Sequence, residues 1–188
     1  MAVIVLFHSV YGLRHVEIAA ADRLRADGHE VRAPDLYAGR SAATIADGFA
    51  LAERTGWAAI TERARDAVRD LPATTVLAGI SMGASVAEAL LPTRPETAGV
   101  LLWHGLAEIP ATTRPGLPVQ VHIADPDQYF PAARVASFQQ SAAAAEAVTT
   151  VFTYPGAGHF YTDPTLADHD RPASELTWQR SLRFLRDL

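Results

Sequence analysis

Residues 74–91 read TTVLAGISMGASVAEALL. An uninterrupted apolar run, TTVLAGI, meets a helical pattern, SVAEALL, and at the junction Ser81 stands between Gly79 and Gly83. A strand that turns straight into a helix through G-x-S-x-G holds its serine exposed at a sharp, strained turn. The residues two positions away must then lack side chains, and the helix N-terminus aims free amides at the turn, where they can stabilise an oxyanion. A glycine-bounded turn with an incidental serine would read the same way, so the pentapeptide decides nothing without partners.

Outward from this stretch the same alternation recurs. Apolar runs stand at AVIVLF, HEVRAP, AGVLLW, PVQVHIA and VTTVFTY. They show little polar alternation, as strands buried on both faces do. Between them lie helical patterns: VEIAAADRLRADG, WAAITERARDAVRDL, residues 132–145 and ASELTWQRSLRFLRDL. Strand–helix alternation of this kind predicts a doubly wound, mainly parallel sheet of about six strands with helices on both faces. Two stretches, 34–56 and 160–172, read as long connections. In such a sheet the loops after the strands build the site. A dinucleotide-binding domain is excluded by position: its glycine fingerprint should follow the first strand, where HSVYGLR stands.

Composition bounds the rest. The 188 residues are 49% hydrophobic, which suits one domain over residues 1–188 with a single core. The net charge of −5 argues against nucleic-acid or polybasic membrane partners. With no cysteine, disulfides, thiolate metal sites and cysteine nucleophiles are excluded. The opening apolar run lacks a basic region before it and is too short to span a bilayer, so it reads as a first strand of a soluble, cytoplasmic protein.

A serine nucleophile needs a base, and the base needs a carboxylate. His159 lies in YPGAGHF after the last strand, on a loop bent by Gly156 and Gly158. Asp125 and Asp127 follow another strand, in HIADPDQYFP, and either could serve or merely start the turn around Pro126. The chain order Ser, Asp, His is that of α/β-hydrolases. The second oxyanion amide should come from the loop after the first strand, which nominates the backbone N–H of Val10 beside that of Met82. Asp168-His169-Asp170 reads as a solvated acidic loop rather than a metal site, because adjacent loop residues converge poorly on one ion. His8, Trp57 and His104 read as structural residues. The stretch between Trp103 and Pro118 is too short for a cap domain.

These motifs together resemble the dienelactone hydrolase family: FHSVYGLR, APDLYAGR, GISMG, DQYFP and YPGAGHFYTD, over nearly the whole chain. The resemblance implies an α/β-hydrolase core without the first two strands of the larger fold, and a nucleophile–Asp–His triad. It places Ser81 at the elbow and His159 at the G-H-x-F histidine. It also selects Asp127 over Asp125, since the family aspartate precedes a proline by four residues, here Pro131. The family's founding members carry cysteine at the elbow, glutamate after the first-strand histidine and, four residues past the catalytic histidine, an arginine that grips the substrate carboxylate. Here those positions hold Ser81, Ser9 and Asp163. Serine needs no thiolate partner, so the first two departures agree. Asp163 would repel a carboxylate if it faced the pocket, which turns the expected substrates toward uncharged esters.

The sequence therefore predicts a serine hydrolase acting on small carboxylic esters or lactones through Ser81, Asp127 and His159, with Val10 and Met82 as oxyanion donors. Ser9, Tyr11 and Tyr161 are expected on the substrate pocket. No cofactor or metal is expected, and the protein should be a monomer or homodimer. The competing reading is a non-catalytic α/β-hydrolase-fold protein that binds a small ligand or partner.

Overall fold

The structure, a computed structural model, describes residues 1–188. Six strands form one sheet: β1 (Val3–Phe7), β2 (Glu30–Arg32), β3 (Val76–Ile80), β4 (Val100–Trp103), β5 (Pro118–Asp125) and β6 (Val148–Pro155). Their order is β2-β1-β3-β4-β5-β6, and every neighbouring pair is parallel. The helices are α1 (His15–Ala26), α2 (Ile45–Thr55), α3 (Trp57–Val68), α4 (Met82–Leu90), α5 (Ala132–Ala144) and α6 (Arg171–Asp187). This is the parallel sheet with helices on both faces that the apolar runs predict, and it agrees with the α/β-hydrolase core that the family resemblance implies.

Alternate residues of the central strands feed two apolar layers. Val5 and Phe7 of β1, Leu77 of β3 and Leu102 of β4 pack with α2, α3, α4 and α5. Ile4 and Leu6 of β1, Ala78 and Ile80 of β3, and Trp103 of β4 face the other way, toward α1 and α6. Both faces of these strands are buried, which is why their sequences show no polar alternation. The expectation fails at the two ends of the sheet. β6 is an edge strand with its first three residues exposed, and β2 at the opposite edge buries only Val31. A strand paired on one side only has less to pack against.

The stretch 34–56 is not a simple connection, as its length suggested, because α2 occupies its second half. Thr44 caps that helix, accepting a hydrogen bond from the Asp47 amide at 3.1 Å. The T-x-x-D spacing is a recognisable N-terminal signal. The stretch 160–172 is irregular until α6 begins. No helix is long and apolar enough to cross a membrane.

The register sets the site. Phe7 pairs with Gly79, Ile80 with Trp103, Trp103 with His122, and Asp125 with Pro155. The C-terminal ends therefore share one edge, and Val10, Ser81, Asp127 and His159 all lie just beyond it.

Candidate active site

Ser81 stands between β3 and α4 with φ 52° and ψ −108°, in the left-handed region that disfavours any residue with a Cβ. Its amide donates to the Trp103 carbonyl at 2.8 Å, and its carbonyl accepts from the Ala84 amide at 2.8 Å. The turn is thus held from β4 and from its own helix. A Cβ on Gly79 would collide with the Gly83 carbonyl, and one on Gly83 with the Phe7 carbonyl. Both glycines of the pentapeptide are therefore required by close backbone approach. Gly105 has a similar duty, because a Cβ there would lie 2.9 Å from the Ser81 carbonyl.

Ser81 Oγ lies 3.1 Å from His159 Nε2, and His159 Nδ1 donates to Asp127 Oδ2 at 2.7 Å. With Nδ1 carrying the proton, Nε2 is left to accept from the serine hydroxyl. The Asp127 side chain is fully buried, and its other oxygen accepts from the Tyr129 amide at 2.8 Å. Asp125, by contrast, is exposed and makes no side-chain hydrogen bond. The imidazole is boxed by rings: Phe160 at 4.5 Å, Tyr129 at 4.6 Å and Phe130 at 5.9 Å between centroids. Its loop is tied from below by Asp168, whose carboxylate accepts from the Phe160 amide at 3.0 Å. A Cβ on Gly158 would strike that same side chain, 2.7 Å from its carboxyl carbon. The acidic stretch 168–170 is therefore more than a solvated loop, since Asp168 anchors the histidine loop and Asp170 caps α6 through the Ala173 amide.

A cavity of about 420 Å³ opens over the serine. Val10 and Met82 line it beside Ser81 and His159. The Val10 amide has no hydrogen-bond partner, and the Met82 amide is in the first turn of α4, where helical amides lack intrahelical acceptors. Both nominated oxyanion donors thus border the cavity that holds the serine. The remaining wall comes from α2, α3 and the start of α5, and includes Phe49, Trp57 and Arg134. Phe49 and Arg134 had no motif to mark them. Trp57, expected to be structural, is on this wall and 46% exposed.

Other expected pocket residues are placed elsewhere. Ser9 is fully buried and donates to the Glu17 carboxylate at 3.1 Å, out of reach of a substrate. Tyr161 is also fully buried, with its hydroxyl 2.8 Å from Thr177 Oγ1 and its ring against His104. Tyr11 lines an adjoining hollow with Tyr129 and His159 rather than the serine cavity. Asp163 does not face the cavity either: it is buried and paired with Arg14 at 2.7 Å, and Arg14 also holds Glu17 at 2.9 Å. The charge that was expected to repel an anion is neutralised on another face.

Two further histidines are structural. His8 Nδ1 donates to the Ser9 carbonyl and Nε2 accepts from the Leu36 amide, and burial pushes its pKa down. His104 is wholly buried. Its Nε2 is 2.6 Å from Thr162 Oγ1, its Nδ1 has no partner, and burial, with His159 and His122 nearby, holds its pKa far below the ordinary value. A second cavity, of about 340 Å³, lies between α1 and α6 under Trp103 and Trp178, and contains none of Ser81, Asp127 and His159.

A parallel sheet covered on both faces, with a serine strained into the turn between its third strand and the following helix, defines an α/β-hydrolase-like protein. The model of the dienelactone hydrolase family matches residues 1–188, and the chain belongs to that family and is an ester hydrolase. No curated protein sequence matches it. Among solved structures it is similar to a dienelactone hydrolase-like promiscuous phosphotriesterase from metagenomic libraries. That comparison has a TM-score of 0.85 and 18% identity, covering 100% of this chain and 87% of the other. A putative dienelactone hydrolase from Klebsiella pneumoniae gives 0.80 and 18%, covering 100% and 88%. Esterase Est2 from the planctomycete Thermogutta terrifontis gives 0.68 and 15%, covering 99% and 81%. At these identities the likeness is one of fold.

Proposed function

We propose that the protein hydrolyses small, uncharged carboxylic esters or lactones through an acyl-enzyme, with Ser81 as nucleophile, His159 as base and Asp127 as the carboxylate that orients it. Ser81 Oγ attacks the carbonyl carbon while His159 Nε2 takes its proton. Asp127 holds the Nδ1–H tautomer and stabilises the imidazolium. The carbonyl oxygen becomes an oxyanion between the Val10 and Met82 amides. His159 then protonates the leaving alkoxide, and a water activated by the same imidazole releases the acid and restores Ser81.

The observation that carries this reading is the unbroken chain from Ser81 Oγ through His159 to Asp127, at 3.1 and 2.7 Å, beneath a cavity bordered by two free amides. The preference for uncharged substrates follows from the rim, which bears Glu53 and Arg134, one charge of each sign, and so offers an anion no net attraction. Ser81→Ala tests the assignment. The variant should fold like the parent, because the hydroxyl's one side-chain partner, His159, is still held by Asp127, and lose about 10⁴-fold or more in kcat toward p-nitrophenyl acetate. Retention of most of the activity by a pure sample would remove Ser81 from the mechanism.

A further inference from the structure

We infer that the serine cavity is built for esters carrying an aromatic ring, which it takes against Phe49, midway along α2, and Trp57, at the start of α3. This deepens the serine-hydrolase reading and rests on it. Phe49 is 49% exposed and Trp57 46% exposed, although each is a large ring on a regular helix. Neither serves the core. The buried residues of α2 are Gly48 and Leu51, and those of α3 are Ile60, Thr61, Ala64 and Val68. Yet both rings line the cavity that contains Ser81. Exposed apolar surface gathered in a concave site marks a place for an apolar partner, whereas the same residues scattered singly would not.

The backbone between them is arranged to bring both to one cavity. Gly56 has φ +82°, a conformation that ends α2 and starts α3 in a single residue, so the chain turns a sharp corner just before Trp57, while Phe49 projects from the middle of α2. Gly48, beside Phe49, lets α2 lie against the Val10 loop, since a Cβ there would be 2.8 Å from the Val10 carbonyl. The Tyr129 ring, also on the cavity wall, packs against that of Phe49 with centroids 6.1 Å apart, inclined at 45°. Phe130 completes that side, next to the His159 ring. A substrate ring entering here meets aromatic neighbours at inclined angles, the geometry in which ring pairs gain beyond area burial alone. At about 420 Å³ the space is far larger than an acetyl group needs.

The test uses alkyl esters, so that the leaving group brings no ring of its own, with hydrolysis followed by pH-stat titration. Methyl acetate is the reference. Methyl phenylacetate and benzyl acetate place the ring on the acyl and alcohol sides, and methyl cyclohexylacetate supplies bulk without aromaticity. We expect kcat/KM for at least one ring-bearing ester to exceed that of methyl acetate by roughly ten- to a hundredfold, mostly through KM. Methyl cyclohexylacetate should fall between methyl phenylacetate and methyl acetate. Phe49→Ala and Trp57→Ala should each reduce the ratio of aromatic to reference ester severalfold or more, and both rings are exposed enough that folding should be unaffected. Equal kcat/KM across the panel, or a preference that survives both variants, overturns the inference and leaves the Ser81 mechanism standing. Failure of all four esters, with Ser81 also inert to an acylating probe, overturns both.

Discussion

At the residue scale, the two aspartates after β5 separate most clearly. They are two residues apart and sit at the same strand end, and only the spacing to Pro131 distinguishes them in the sequence. In the fold Asp127 turns inward to His159 while Asp125 stays in solvent. Asp127→Asn should lower kcat on the order of 10⁴-fold, because an amide no longer holds the Nδ1–H tautomer. Asp125→Asn should cost less than about twofold, on the ordinary expectation that exposed side chains lacking partners contribute little. Steady-state kinetics of the two variants on one ester gives the ranking, and the reverse order would show Asp125 to be the partner. Ser9 and Tyr161 teach the opposite lesson. Both sit beside site residues in the sequence, and both are buried by tertiary neighbours, Glu17 and Thr177, that no local pattern reveals.

At the element scale, the strands and the elbow were legible because each has a steric signature of its own. Unbroken apolar runs mark strands covered on both faces, and a serine between glycines marks a turn too tight for side chains. α2 was harder to read. Its pattern is interrupted by Gly48, its buried stripe is short, and only Thr44 and Asp47 announce its start. That helix nonetheless shapes the site, since it carries Phe49 and rests on the Val10 loop through Gly48. Gly48→Ala isolates this role. Alanine favours the helix by about 1 kcal/mol, so secondary structure should be retained. The added methyl would press on the Val10 carbonyl and shift the Val10 loop, and if that loop serves the oxyanion as proposed, kcat should fall roughly ten- to a hundredfold, as small misplacements in active sites do. Wild-type kcat in a folded Gly48→Ala protein would mean that α2 does not set the loop. Arg134 was illegible for a different reason: it reaches the cavity only because α5 starts beside it.

At the scale of the whole molecule, the fold buries histidines in their neutral form. Burial lowers the pKa of His8 and His104, and burial assisted by Arg180 pushes that of His122 down to about 3. In the unfolded chain each would titrate near 6.5. The depressed folded values mean that, below about pH 6.5, the unfolded chain takes up protons that the folded one refuses. Stability is therefore complete above that pH and declines as pH falls, and for His122 the decline runs toward pH 3 at about 1.4 kcal/mol per pH unit. Urea unfolding at pH 7.5 and 5.0 should show the decline, and His122→Gln should make it shallower. An unchanged slope in that variant would mean that His122 is not held neutral. The account as a whole stands on Ser81, and its most direct test is chemical. A fluorophosphonate probe followed by peptide mass mapping should give one adduct per chain, on Ser81, and none in Ser81→Ala. An unmodified protein, or an adduct on Ser85 or any other residue, would contradict it.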